Sequence, residues 1–70
     1  MKKSTKIYIA GHRGMVGSAV WRALEKKGYS NLIGRTSKEL DLKNQQSVLD
    51  FFERENPEVV IDAAARVGGI

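Results

Sequence analysis

The sequence predicts an α/β fold, the N-terminal β-α-β-α-β portion of a doubly wound parallel sheet with strand order 3-2-1. Three observations predict it. A short apolar run, Lys6-Ile-Tyr-Ile-Ala10, breaks into glycines at positions 11, 14 and 17 and then into a helical pattern. Two more short apolar runs follow, and a stretch of helix length separates each run from the one before it. Crossovers of that length join parallel strands through right-handed connections.

Lys6 to Ala10 combines β-branched and aromatic residues, as a strand buried on both faces requires. Gly11 to Gly14 forms the turn. Met15 through Lys27 places Val16, Val20 and Leu24 at helical spacing with Ala19 and Ala23 beside them, while Arg22, Glu25 and Lys26 fall on the outer side. Gly28 is the C-terminal stop. After the turn-like Tyr29-Ser30, Asn31 to Gly34 reads as the second strand, and Arg35 to Lys43 as a polar loop whose only apolar residues are Leu40 and Leu42. Asn44 is the expected N-cap of a helix from Gln45 to Glu55 that buries Val48, Leu49 and Phe52, and Pro57 ends it. Glu58 to Ala64 is the third strand, with Asp62 placed to hold the loop beyond it. Trp21 and the Phe51-Phe52 pair sit at helical positions and read as packing or as an interface.

Composition narrows the function classes. A chain of 70 residues buries only about 60% of the surface its unfolded form exposes, which is little for a dinucleotide site and a substrate pocket together. Residues 1–70 are therefore expected to be the N-terminal part of one nucleotide-binding domain, a fragment lacking the rest of that domain and a substrate domain. Hydrophobic residues make up 41% and charged residues 29%, an ordinary balance, and no run approaches the ~18 apolar residues of a membrane span. Met1-Lys2-Lys3 starts like a signal peptide, but Ser4, Thr5 and Lys6 follow, and the next apolar stretch is too short and glycine-rich for an h-region. The expected location is the cytoplasm, with no membrane partner. The absence of cysteine excludes a disulfide framework and thiolate ligands, and a single histidine makes no zinc cluster, so no metal is implied. The net charge of +4 comes from scattered lysines and arginines without interleaved aromatics, which argues against a nucleic-acid partner.

The glycine turn carries the chemistry. Strand, glycine turn, helix is the order that builds a phosphate-binding corner, with backbone N–H groups from Gly11 to Gly17 and the positive helix end meeting a pyrophosphate. Hydrogen bonds to a charged group contribute about 1.5–3 kcal/mol each. The plainer alternative is that the glycines only shape a βα turn. A P-loop would need lysine after the last glycine, and here Ser18 follows Gly17. An NAD site places a carboxylate about 20 residues beyond the glycines, whereas NADP calls for a cation there. The chain has Gly34-Arg35-Thr36-Ser37, with no carboxylate until Glu39. Arg35 can stack on adenine or pair with a 2′-phosphate, and Arg13 can approach the same phosphate from the other side, so the pair favours NADP. His12 is either a phosphate neighbour or an exposed loop residue. Asp41 and Leu42 either flank the adenine or, for Asp41, form a turn or cap.

The segments Ala10-Gly-His-Arg-Gly-Met-Val-Gly-Ser-Ala19, Arg35-Thr36, Glu39-Leu-Asp-Leu42 and Ala63-Ala-Ala-Arg-Val-Gly-Gly-Ile70 resemble the N-terminal part of the GDP-L-fucose synthase family. These are extended short-chain dehydrogenase/reductases, and the resemblance covers essentially the whole chain. It implies a Rossmann-like fold and NADP as cofactor. The implied reaction epimerises C3 and C5 of a GDP-4-keto-6-deoxy sugar and then transfers a hydride from NADPH to C4. By resemblance, Gly11, His12, Arg13, Gly14, Met15, Val16 and Gly17 form the pyrophosphate loop, and Arg13 and Arg35 surround the 2′-phosphate. Ser37, Lys38, Glu39, Leu40, Asp41 and Leu42 line the adenosine, and Ala63, Ala64 and Ala65 pass along the ribose on the nicotinamide side. Val67 to Ile70 begin the loop leading to the active site.

Some relatives carry a second basic residue just after the Arg35 position, where this chain has Thr36 and Ser37, with Lys38 as a substitute. The Tyr-x-x-x-Lys pair of the family does not occur in these residues, since Tyr8 and Tyr29 precede His12 and Ile33 at that spacing. No catalytic residue is assigned here. The family implies a GDP-sugar substrate held by later sequence, and a homodimer. Two alternatives stand beside this: a non-catalytic NADP-binding or sensing module of the same fold, and another nucleotide-sugar epimerase or dehydratase, which would want an acidic residue near Arg35.

Overall fold

A computed structural model describes residues 2–36 and 38–63. Along the chain run β1 (Ile7–Ala10), α1 (Met15–Lys26), β2 (Leu32–Ile33), α2 (Gln45–Glu55) and β3 (Val59–Asp62). The three strands form one parallel sheet, with Ile7 opposite Leu32 on one side and opposite Val59 on the other.

The α/β class, the parallel strands and the alternation of elements are as the sequence predicts, but the strand order is not. The expected 3-2-1 order is replaced by β2-β1-β3, with β1 in the centre. The physical reason lies in the strands themselves. A central strand loses both faces and both edges to its neighbours, and only β1, buried at all four positions, is apolar enough throughout. β2 is two residues long and half-buried at Leu32, so it suits an edge. β3 alternates half-buried and exposed residues, the pattern of a strand covered on one face.

This order divides the helices between the two faces. The α1 crossover runs from β1 outward to β2, and the α2 crossover runs back past β1 to β3. Right-handed crossovers in opposite directions place their helices on opposite sides of the sheet. Tyr8 and Ala10 join Ile33, Leu40 and Phe51 in one core cluster, with Val48 and Phe52 packed against it. The Tyr8 ring lies 4.7 Å from Phe51 and 5.9 Å from Phe52 between centroids. Ile7 and Ile9, wholly buried, point to the other face, where α1 approaches β1.

Helix boundaries follow their caps. Asn44 Oδ1 accepts the Ser47 N–H at 3.1 Å at the start of α2, and Asn56 closes it in the left-handed region at φ 46°. Gly28, at φ 99°, follows α1 as the expected stop. The buried faces differ in detail from the sequence reading. On α2 the inner stripe is Val48, Phe51 and Phe52, and Leu49 is 57% exposed. On α1, Val20, Trp21 and Leu24 are half-buried, Val16, Ala19 and Ala23 are exposed, and Gly17 is the buried residue. The helix leans on the sheet where it has no side chain, at its first turn.

Replacing Phe51 by alanine in the protein that carries these residues should lower its unfolding free energy by about 3–5 kcal/mol. Leu49→Ala should change it by less than about 1 kcal/mol. Urea unfolding of the two variants checks this, and equal losses would contradict the placement of α2.

Candidate functional site

With β1 flanked on both sides and its helices on opposite faces, the crevice of the sheet opens at the carboxyl ends of the strands. That is where open α/β sheets take ligands. The turn after β1 is built there by glycines with separate jobs. Gly11 adopts φ 77°, a conformation that side chains rarely take, and its carbonyl accepts the Gly14 N–H at 3.0 Å. Gly17 meets a different demand: a Cβ placed on it would lie 1.9 Å from the Gly11 carbonyl oxygen, so no side chain fits between helix and turn. Gly14 is the N-cap of α1 and offers no capping side chain, and no acidic residue occupies the first helical turn. The positive end of α1 is therefore left uncompensated by its own residues, which favours an anion.

A cavity of about 220 Å³ opens at this point, lined by Gly11, His12, Arg13, Gly14, Arg35 and Thr36. The fold thus brings the glycine turn and both predicted arginines to one place, although 21 residues of α1 and β2 sequence lie between Arg13 and Arg35. Arg13 is exposed. Arg35 is half-buried: its Nη1 donates to the Gly34 carbonyl at 2.8 Å, its Nη2 pairs with Glu55 Oε2 at 3.3 Å, and its Cζ lies 5.2 Å from the Phe51 ring centroid.

His12 is more enclosed than a loop residue in solvent. Its ring lies 5.5 Å from Trp21, and it fills the space above Gly34, where an added Cβ would come within 2.4 Å of the imidazole Cγ. Its Nδ1 is buried and has no hydrogen-bond partner among the described residues. Met15 and Val16 belong to the first turn of α1 and are exposed rather than part of the cavity lining.

The segment expected to line an adenosine divides. Leu40 is buried at 5% exposure in the core cluster, so its side chain packs rather than lines the cavity. Lys38 is exposed. Asp41 Oδ1 accepts the Lys43 N–H at 2.9 Å and its carbonyl accepts the Asn44 N–H at 3.0 Å, which makes it a turn residue ahead of α2. Leu42, exposed, borders a separate hollow with Gln45, Val48 and Leu49. Ala63 continues the β1–β3 pairing, its N–H donating to Ala10 O at 2.9 Å. Ser37, Ala64 and Ala65 lie outside the described residues, as do Val67 to Ile70.

Thr36, absent from the sequence-based candidates, lines the cavity through a reciprocal pair with Glu39. The Thr36 N–H donates to Glu39 Oε1 at 2.8 Å, and the Glu39 N–H donates to Thr36 Oγ1 at 3.2 Å. This is capping-box bonding, and the Thr-x-x-Glu spacing was its visible signal. The Thr36 hydrogen bonds hold the Glu39 carboxyl below its ordinary pKa, with a smaller push in the same direction from Arg35. The Glu55 carboxyl is also lowered, chiefly by the Lys6 ammonium that meets its Oε1 at 3.1 Å, with Arg35 adding to the effect. Burial raises the Tyr8 hydroxyl, partly offset by Arg35.

A model of the NAD dependent epimerase/dehydratase family matches residues 7–70. The chain belongs to this family. It is 56% identical, over all of its length, to a putative GDP-L-fucose synthase 2 of Arabidopsis thaliana, and 52% identical over 93% of its length to the GDP-L-fucose synthase of Escherichia coli K12. Among solved structures it superposes with TM-score 0.90 and 48% identity on MlghC, a GDP-mannoheptose C4 reductase from Campylobacter jejuni with NADP bound, covering 94% of this chain and 21% of that one. It spans about a fifth of the length of the two synthases, 21% and 20%. No helix among the described residues is long and apolar enough to cross a membrane.

Both lowered carboxyls give the same sign of pH dependence. Their contribution to stability is fully present above the ordinary glutamate value of 4.5 and is lost as the pH falls through the lowered folded values. Glu39→Gln should therefore be less stable than the parent at about pH 6, with the gap closing towards about pH 3. Denaturant unfolding across that range checks it, and a pH-independent gap would contradict the Thr36–Glu39 pairing.

Proposed function

We propose that these residues form the NADP-binding part of an NADPH-dependent GDP-4-keto-6-deoxy-D-mannose epimerase-reductase, which makes GDP-L-fucose. One observation carries the reading: the cavity at the glycine turn is lined by two arginines and no carboxylate among the described residues. A carboxylate there would accept hydrogen bonds from the ribose hydroxyls of NAD and repel a 2′-phosphate, whereas arginines attract it. The identities to GDP-L-fucose synthases and the NADP bound to MlghC support the same reading.

In this role the N–H groups of Gly11 to Gly17 and the start of α1 hold the pyrophosphate. Arg13 and Arg35 flank the 2′-phosphate and adenine ribose. His12 sits beside the phosphates with its ring braced on Trp21 and Gly34. The segment from Ser37 to Leu42 runs past the adenosine, with Leu40 anchoring it to the core, and Ala63 to Ala65 pass along the nicotinamide-side ribose. Bound NADPH supplies a hydride to C4 of the keto sugar. The GDP-sugar site, the proton-transfer groups and a homodimer interface belong to sequence beyond these residues, and the protein works in the cytoplasm.

Titration of the full-length protein with NADPH and NADH tests the proposal. The parent should bind NADPH more tightly. Arg13→Ala should weaken NADPH binding about tenfold or more, the worth of one charge-assisted contact, and leave NADH binding nearly unchanged. Equal affinity of the parent for both nucleotides would overturn the assignment.

A further inference from the structure

Arg35 and Arg13 face the same cavity in different states. Arg13 is exposed and has no ion pair with a described residue, while Arg35 is held on three sides by Gly34, Glu55 and Phe51. Of these three partners, Glu55 alone is charged, and it is the last residue of α2. Its two oxygens serve two strands. Oε1 meets Lys6 Nζ, just before β1, at 3.1 Å, and Oε2 meets Arg35 Nη2, just after β2, at 3.3 Å.

An exposed ion pair usually contributes little, because two long side chains must be ordered against water and salt. Here the three side chains are 23–30% exposed, and the Arg35 guanidinium is additionally fixed by the aromatic ring and the neighbouring carbonyl. Three contacts thus hold Arg35 without any ligand. A guanidinium already in place loses less freedom when a nucleotide arrives than one that must be collected from solvent.

We infer that Glu55 is a positioning residue for the nucleotide site: acting through Arg35, it holds the guanidinium over Phe51 at the cavity wall before the nucleotide binds. This rests on the reading of the cavity as an NADP site. It assigns Glu55 a role distinct from its pair with Lys6, which ties α2 to the start of β1 and serves stability alone. Glu55 is not itself one of the residues that line the cavity and reaches it only through Arg35.

The test is a mutant cycle on the full-length protein, read as the dissociation constant for NADPH and as the thermal midpoint without nucleotide. Glu55→Gln keeps the shape and removes the charge, and should weaken NADPH binding about three- to tenfold. In an Arg35→Ala background the same substitution should have no further effect on affinity, because the group it acts through is gone. Lys6→Met breaks the other half of the network, and should lower the thermal midpoint while leaving NADPH affinity within about twofold. Additive losses from Glu55→Gln and Arg35→Ala would overturn the inference, as would a Lys6→Met loss of affinity equal to that of Glu55→Gln. Tight NADPH binding by the parent that Glu55→Gln leaves unchanged would sink the inference alone. Failure of the parent to bind NADPH would sink the cofactor reading and the inference with it.

Discussion

β1 has no free side, and the rest of the structure follows from covering it. Its four residues lie under neighbours on both edges and both faces, with Ile7 and Ile9 wholly buried on one face and Tyr8 and Ala10 nearly so on the other. Covering both faces requires one helix on each. With right-handed crossovers, that is possible only if the two connections run across the sheet in opposite directions. The strand order β2-β1-β3 is this condition met by three strands. The same condition opens a crevice at the carboxyl end of β1, where the chain turns through Gly11 to Gly14 into α1. The packing requirement of the core and the location of the site are one constraint.

The closeness of α1 to that turn comes from Gly17 rather than from an apolar stripe. The helix amphipathic pattern suggested that Val16, Val20 and Leu24 would carry the contact. Val16 is instead 63% exposed, and the helix meets the chain backbone to backbone at Gly17 and Gly11. A helix seated in this way brings its unsatisfied N–H groups and its positive end up to the turn, instead of holding them a side chain's width away. The glycine spacing that marks the motif in the sequence is therefore the mechanical cause of the anion-attracting corner.

Local features were legible in the sequence and long-range pairings were not. The span of α2, its Asn44 cap, the Gly28 stop and the glycine turn are all decided within a few residues, by hydrogen bonds and backbone preferences that residue type reveals. The strand order depends on which edge of β1 each later strand meets, and periodicity is silent about that. Phe51 rather than Leu49 faces the core because α2 is rotated against Tyr8, an aromatic contact from the other end of the chain. At the site, the convergence of Arg13 and Arg35 was legible because the motif itself places the end of β2 beside the turn. The Glu55 partner of Arg35, 20 residues further on, was not, since nothing in the local sequence distinguishes that glutamate from its exposed neighbour Glu53. Thr36 was legible in principle, because Thr-x-x-Glu carries a recognisable bonding pattern.

The two arginines show how one cavity can separate attraction from shape. Arg13 lies beside the uncompensated start of α1, so its charge and the helix dipole add along the path by which an anion would enter. Arg35 shares the Glu55 carboxylate with Lys6, so its charge is only partly offset, and its half-buried guanidinium is tied to that carboxylate rather than presented free to solvent. What it adds is a planar, fixed surface backed by Phe51. On the proposed reading, salt should therefore weaken the contribution of Arg13 to nucleotide binding more than that of Arg35, because an exposed charge is screened more than a half-buried, paired one. A site with two free arginines would attract a phosphate more strongly, yet would have to order both on binding. Pairing one of them gives up some attraction for a wall that is already formed.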